Sequence, residues 1–209
     1  MRARRTVTHL LRLLGLAAVL ACLAGAGGDD EKPQNEPANS LFLVAKPALL
    51  DPNFAHTVVL VTQTEDASTV GVILNRPTTL KPEEILAPGF PAENYRDRIY
   101  SGGPVMRQVL VALFRADKPP QKPAFHVLKD IYLTMHPDNI EKLLKDPKAS
   151  YRLYAGFSGW APRQLESEFM RDGWYVLPAE EEVLFRKSYD GLWEELVGKA
   201  QRRGPRASR

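Results

Sequence analysis

Two serines in glycine-rich turns and three of the four histidines are the side chains that could take part in nucleophilic catalysis. A nucleophile needs a base within hydrogen-bond reach and an acid that orients this base. Ser101 lies in "YSGGPV" and Ser158 in "GFSGWA", and neither has the Gly-x-Ser-x-Gly spacing of a nucleophile elbow. We therefore interpret Ser158 as a turn former and His56, His126 and His136 as ordinary polar residues, and we predict no catalytic residue.

Metal and cofactor sites are not indicated by the residue pattern. No histidine pair has metal-ligand spacing, and the single cysteine, Cys22, lies near the N-terminus. The stretch "SGGP" is too short for a Walker loop or a dinucleotide-binding fingerprint. Gly102 and Gly103 are expected to form a positive-φ turn that Pro104 stiffens. We predict no metal and no cofactor.

A second candidate group is Asn75 and Arg76, which end a very apolar run before Pro77. An arginine at such a position needs water or a partner, and it can hold a carboxylate or phosphate with two hydrogen bonds. A structural role, in which Arg76 pairs with an acid such as Asp51 or caps a loop carbonyl, is the favoured interpretation.

The third candidate is the stretch "YAGFSGWAPRQLESEF". Pro162 suits the first turn of a helix, so "GFSGWA" is predicted to connect a strand to a helix N-terminus. Close backbone approach at the glycines, the flat ring of Trp160 and free N–H groups at the helix start could hold an anion. Alternatively, Trp160 plugs one end of the fold while Gln164 bonds to a neighbouring loop, such as the one at Gly102. We favour this second interpretation. The candidate ligand-binding residues, should a site exist here, are Asn75, Arg76, Gly102, Gly103, Trp160 and Gln164.

The first 39 residues are typical of an exported protein. Three arginines precede a short apolar run, which predicts a signal peptide over residues 1–21. Cys22 ends the run in "VLAC", a pattern similar to the lipobox of bacterial lipoproteins, so we predict lipidation of Cys22. Ordinary cleavage near "AGAGG" is the alternative. Residues 22–39 are predicted to be a polar, flexible linker.

Charge argues against a nucleic-acid partner. Residues 22–198 hold 19 Lys and Arg against 25 Asp and Glu, a net charge of −6. Phosphate contacts supply most of the affinity for nucleic acid, so an acidic domain is a poor candidate for this class. Residues 199–209 are basic and are predicted to form a disordered tail.

Between these ends the pattern is that of one domain, residues 40–198. Short, β-branched apolar runs such as "LFLVA", "TVVLV" and "VGVILN" predict buried strands. Single helices are predicted at 81–86, at "HPDNIEKLLKD", after Pro162 and after Ser188. Strands outnumber helices, which predicts an α/β fold of the α+β type, with a mixed sheet and helices packed outside.

Four stretches in this order and spacing carry a family resemblance. They are "LVAKPALLDPNFAHTVVLV", "VGVILNRPT", "YSGGPV" and "GFSGWAPRQLESEFMRDGWYV". Together they resemble the YqgE/AlgH family over about Ser40 to Trp193. The resemblance implies a single domain whose mixed, bifurcated sheet curls into a pseudo-barrel. It implies no established activity, although some members carry the label of putative transcriptional regulator.

This chain departs from the family pattern in three ways. Arg163 stands where the family usually has Gly, and the Leu-His that commonly follows the glycine turn is missing. Most members also look cytoplasmic, whereas this chain has a predicted signal peptide. We expect a non-enzymatic domain, exported and anchored to a membrane by lipid, that binds a protein or small-molecule partner at the bacterial cell envelope. The alternatives are an enzyme that acts on a small anionic substrate near Arg76 and the Trp160 loop, and a cytoplasmic regulator.

Overall fold

A computed structural model describes residues 40–86 and 88–203 of the chain. The predicted signal peptide, Cys22, the predicted linker and residues 204–209 of the predicted tail lie outside these residues. Within the described part, no helix combines the length and the apolar character that a membrane span requires.

Nine strands form from the described residues, and most coincide with the apolar runs of the sequence. The strands are β1 (Leu41–Ala45), β2 (Val58–Gln63), β3 (Thr69–Ile73), β4 (Tyr100–Ser101), β5 (Val105–Arg115), β6 (Phe125–Leu128), β7 (Ile131–Thr134), β8 (Tyr151–Trp160) and β9 (Trp174–Pro178).

The helices of the described part are short, apart from the last. They are α1 (Pro82–Ile85), α2 (Pro137–Lys145), α3 (Gln164–Met170), α4 (Glu181–Leu184) and α5 (Leu192–Arg203), with a 3-10 helix at Ala92–Asn94. The predicted start of α2 is confirmed: Pro137 is its first residue, and the ring of His136 accepts a hydrogen bond from the Asp138 N–H. Helix α4 was not predicted.

Helix α5 includes residues 199–203 of the predicted disordered tail, which corrects that prediction for these five residues. Ala200 is buried in the core, and Lys199 forms an ion pair with Glu180. These contacts extend the helix beyond Gly198 because the side chains on its inner face still have core to pack against.

Strand β8 is the branch point of the sheet. The order is β6-β7-β5-β8-β3-β2-β1-β9, and β4 pairs with β8 outside this path. Most of β8 pairs antiparallel with β5, whereas its last three residues, Ser158–Trp160, pair antiparallel with β3. The β4–β8 pairing is parallel. The sheet is therefore mixed and bifurcated, as the resemblance implies.

The sheet curls without closing. The Thr62 hydroxyl on β2 donates to the carbonyl of His126 on β6 over 3.2 Å, so the edge strand β6 curls back to the interior strand β2. No ladder of paired residues joins β6 to β2 or β9 within the described residues. The result is an open, barrel-like curl.

Helices flank both faces of this sheet. On the face toward which the sheet curls, Leu192, Leu196 and Val197 of α5 pack into the largest apolar cluster, together with Val183 and Leu184 of α4. On the other face, α2 covers β5 and β8. Helix α3 covers the half of that face formed by β9, β1, β2 and β3. The loop between β1 and β2 packs beside α3.

Candidate functional site

Asn75 and Arg76 tie the end of β3 to the loop between β1 and β2. The Asn75 amide accepts from the Val58 N–H over 2.8 Å and donates to the His56 carbonyl over 2.9 Å. The Asn75 side chain thus makes, with the backbone at the start of β2, hydrogen bonds of the kind that a neighbouring strand would make. Both polar atoms of this amide are used within the protein.

The Arg76 guanidinium clamps the same loop. It donates to the carbonyls of Asn53 over 2.7 Å and Ala55 over 3.3 Å. Of the two structural roles predicted from the sequence, Arg76 therefore has the second, which is to cap loop carbonyls. Arg107 reaches the Asn53 side chain over 3.4 Å. Partial burial and the nearby charge of Arg107 lower the pKa of Arg76. A ligand-binding role for Arg76 stays a prediction.

Gly102 and Gly103 permit close contact of backbones rather than a cradle for phosphate. A Cβ on Gly102 would lie 2.1 Å from the Gly156 carbonyl oxygen, and one on Gly103 would lie 2.3 Å from that of Phe157. Gly103 has a φ of 153°, whereas Gly102 does not have a positive φ, which corrects the expectation for Gly102. The Gly102 carbonyl accepts from the Ile73 N–H and from the Ser158 hydroxyl.

The Trp160 stretch differs from the connection that the sequence suggested. Strand β8 continues to Trp160 because Ser158–Trp160 pair with β3, so "GFSGWA" is largely strand. Pro162 is not in the first turn of α3, which begins at Gln164. The residue before the helix, Arg163, has a φ of 66°. The Gln164 amide accepts from the Ala161 N–H and does not contact Gly102.

Trp160 is buried and offers no open ring surface. It is 2% exposed and stacks on Phe54, with 5.7 Å between ring centroids. Its indole N–H donates to Glu168, and the Trp174 indole donates to the same carboxylate oxygen, each over 3.1 Å. Glu168 therefore fastens α3 onto two tryptophans of the sheet, a role that the sequence analysis missed.

The groups that could perform nucleophilic or metal chemistry are separated. The Ser158 hydroxyl is buried and donates to a backbone carbonyl, and no hydrogen bond joins Ser101 or Ser158 to a histidine in residues 40–86 and 88–203. The same residues contain no group of three His, Cys, Asp or Glu side chains that could hold a metal. Arg76 bonds to carbonyls on either side of Phe54, whose ring stacks on Trp160.

A half-open groove of about 360 Å³ lies beside α3. A larger depression of about 510 Å³ on the outside of α2 is more open and is lined mainly by charged side chains, so the groove is the better candidate site. Its floor is the sheet face at the ends of β1, β2 and β3, and its wall is α3 with the turn before it. The apolar lining comes from Leu41, Val61, Ala67, Ala161, Leu165 and Phe169. Arg163 and Glu166 contribute charge, and Thr62, Gln63 and Thr69 contribute polar groups.

Only one wall of this groove is evident from the sequence. Leu165 and Phe169, one helical turn apart, mark an apolar face of α3. Leu41 and Val61 belong to strands more than 100 residues earlier in the chain, and they meet α3 only because β1 and β2 share a sheet face with Trp160. Of the predicted site residues, none lines the groove, although Trp160 and Gln164 flank residues that do.

Comparison with known proteins places these features in a family. A family model described as AlgH-like matches residues 42–203. A UPF0301 protein of Thermobifida fusca is 34% identical over 165 residues, which cover 75% of this chain and 83% of that protein. A UPF0301 protein of Myxococcus xanthus is 32% identical over 156 residues, or 73% of this chain and 85% of that one.

Two solved structures have a similar fold. The solution structure of the AlgH protein from Pseudomonas aeruginosa aligns with a TM-score of 0.63 and 25% identity, over 85% of this chain and 94% of that chain. A crystal structure of a Corynebacterium diphtheriae protein aligns with a TM-score of 0.60 and 25% identity, over 84% of this chain and 91% of that chain. The expected fold is thereby confirmed in related chains.

Proposed function

This chain belongs to the AlgH-like family of UPF0301 proteins, and from that premise we propose that it is a non-enzymatic binding domain of the bacterial cell envelope. In this proposal it is exported, lipid-anchored at Cys22, and binds a partner protein through the groove beside α3. The groove is the observation that carries the proposal.

The surroundings of the groove favour a protein over a small ligand. Leu41 is 37% exposed on its rim, and Val176 is 44% exposed on the neighbouring strand β9. The two side chains lie on the same face of the sheet, since Leu43 of β1 pairs with Val176 and shares a face with Leu41. Met170, 83% exposed, ends α3. Apolar surface therefore continues outside the groove, as protein interfaces require.

The lining defines the chemistry of the partner. The floor and wall can enclose one large apolar side chain, the kind of anchor that dominates binding energy at protein interfaces. Arg163 and Glu166 bring both charge signs to this groove. The partner segment should thus present an apolar anchor with polar neighbours.

The position of the groove suits a tethered domain. Leu41 is the first residue of β1 and also lines the groove, so the predicted linker joins the domain at the end of the strand where the partner would bind. The lipobox-like "VLAC" before the linker supports anchoring through Cys22. The lipid anchor and the partner protein would then lie on the same side of the domain.

Site-specific photo-crosslinking in cells tests the groove. A photoreactive amino acid replaces Gln63 or Val176, and, as a matched control on a surface away from the groove, Leu80, which is 39% exposed. We expect one protein adduct common to the first two positions and absent at Leu80. Leu165→Glu in the same chain should abolish it. No adduct, or one that survives Leu165→Glu, would refute the proposal, and a small molecule seen in native mass spectra instead would replace the partner protein by a small ligand.

Intact mass spectrometry of membrane and soluble fractions tests the anchor. Wild type should give a membrane species that begins at Cys22 with an added diacylglycerol mass, and Cys22→Ala should lose it. A fully soluble, unmodified chain would overturn anchoring and favour a cytoplasmic role. A pH-dependent turnover of small anions that requires Arg76 would favour the enzymatic alternative.

A further inference from the structure

The last turn of α5 is a basic surface on the face of the sheet opposite the groove. Arg202 and Arg203 end the helix, and both residues are exposed. Neither arginine forms an ion pair or a side-chain hydrogen bond with the described residues. Lys199, one turn earlier, is neutralised by its ion pair with Glu180. The two arginines are therefore free to contact a partner outside the domain.

The same sign of charge continues along the sequence. Residues 199–209 contain five Lys and Arg and no Asp or Glu, whereas residues 22–198 have a net charge of −6. An anionic surface would therefore attract this end of the chain and repel much of the remainder. Cations in the last turn also stabilise a helix dipole, and the last turn of α2 carries Lys142 and Lys145 in the same way. What distinguishes α5 from α2 is its position in the fold.

Helix α5 lies along β1 and runs in the opposite direction. Near the start of the helix, the Trp193 indole N–H donates to the carbonyl of Ala45, the last residue of β1, over 2.7 Å. Near its end, Lys199 pairs with Glu180, which follows strand β9. Strand β9 is antiparallel to β1, and its last residues lie beside the first residues of β1. The basic turn of α5 is therefore at the end of the domain where β1 begins.

The predicted linker joins the domain at this same end. Residues 22–39 lead into Ser40, whose carbonyl accepts a hydrogen bond from the Ala179 N–H over 3.2 Å, beside Glu180. A chain of 18 residues spans at most about 65 Å. A lipid on Cys22 would therefore keep the basic turn within this distance of the bilayer, which raises its effective concentration at the membrane surface.

We propose that the last turn of α5 binds an anionic lipid surface and orients the domain on it, a proposal that rests on the proposed lipid anchor at Cys22. The anchor holds the chain at the membrane, and the guanidinium groups bind headgroup phosphates, which decides the side of the domain that faces the bilayer. Glu65 and Asp66 lie in the turn between β2 and β3 at the same end of the sheet. Their negative charges confine the contact to α5.

Co-sedimentation with lipid vesicles tests this surface. The chain from residue 22 onward, with Cys22→Ala, is mixed with vesicles of equal parts phosphatidylglycerol and phosphatidylcholine, or of phosphatidylcholine alone. Neither a lipid anchor nor the apolar run before Cys22 then contributes to binding. We expect binding to the anionic vesicles only, and weaker binding when the ionic strength rises from about 0.1 M to about 0.5 M, because salt screens the charges.

Matched double variants locate the contact. Arg202→Ser with Arg203→Ser should lower the partition coefficient for anionic vesicles about 30-fold, since each basic residue near such a surface contributes about a fivefold factor. Lys142→Ser with Lys145→Ser removes the same charge from the last turn of α2 and should leave binding almost unchanged. Equal losses in the two double variants, or equal binding to the two kinds of vesicle, would overturn the proposal.

A single labelled cysteine reports the orientation. Cys22→Ala leaves a chain without cysteine, so Gln201→Cys in the basic turn or Lys142→Cys in α2 can carry a fluorophore. Lipids with spin-labelled headgroups should quench the label at position 201 more than the label at position 142. Equal quenching at the two positions, or release of the chain from vesicles by a DNA duplex at equal phosphate concentration, would overturn the proposal. Because these chains carry no lipid, an unmodified Cys22 in cells would refute the anchor without changing the vesicle result.

Discussion

Replacing Arg163 by glycine should stabilise this protein. Arg163 precedes α3 with a φ of 66° and a ψ of −6°, a left-handed conformation that disfavours residues with a Cβ. Its side chain makes no hydrogen bond or ion pair with the described residues. Glycine adopts this conformation without the steric cost.

The size of the effect follows from two opposing contributions. The left-handed conformation costs an ordinary residue roughly 1–2 kcal/mol. Glycine loses more conformational freedom on folding, which costs about 0.5–1 kcal/mol. The net gain for Arg163→Gly is therefore about 0.5–1 kcal/mol, or a rise in Tm of roughly 1–4 °C for a domain of this length.

Chemical denaturation and calorimetry of wild type, Arg163→Gly and Arg163→Ala measure this difference. Alanine removes the long side chain but keeps the Cβ, so Arg163→Ala should stay within about 0.5 kcal/mol of wild type. An Arg163→Gly variant that is no more stable than Arg163→Ala would show that the left-handed conformation contributes no strain.

Three further predictions concern packing and ionisation. Glu168→Ala leaves two indole N–H groups without their acceptor and should lower the free energy of unfolding by about 1–3 kcal/mol, with Glu168→Gln losing less, as measured by urea denaturation followed by tryptophan fluorescence. Gly102→Ala should cost roughly 3 kcal/mol or more, because the new Cβ meets a carbonyl oxygen at 2.1 Å, whereas Gly159→Ala, with no contact under 3.4 Å, should cost far less in the same assay. Stability should fall as the pH rises above about 10, the unfolded tyrosine pKa, because burial raises the pKa of several tyrosines and the unfolded chain then binds fewer protons. Absorbance at alkaline pH should show three tyrosines ionising only with unfolding, namely Tyr95, Tyr154 and Tyr189.

Local sequence patterns predicted which segments form strands better than they predicted where those strands end. The runs at β1, β2 and β3 are apolar and β-branched, so the sequence locates them to within a residue or two. The end of β8 was missed because glycine and serine in "GFSGW" are typical of a turn. In the fold these small residues let other backbones approach β8, and Gly156 does so with a φ of 71°.

The candidate sites depended on contacts that no local pattern encodes. Arg76 could be recognised as a buried cation in need of a partner, but its partners are carbonyls of a loop more than 20 residues earlier. Leu41 and Leu165 both line the groove. They lie close together because of the order of strands in the sheet, which the residues next to each of them in the sequence do not reveal. Nothing in the stretch "YRLY" marks Arg152 as buried, and only the packing of Tyr189 over its guanidinium shows this.

The branch at β8 also sets the order in which this chain can fold during synthesis. The last residues of β8 pair with β3, about 90 residues earlier, and the remainder pairs with β5. Until the ribosome has released residue 160, each half of the sheet lacks its shared strand, so neither half is a complete folding unit. Such non-local pairing slows folding. The nascent chain should therefore remain protease-sensitive until β8 has left the ribosome, and both halves of the sheet should then form together.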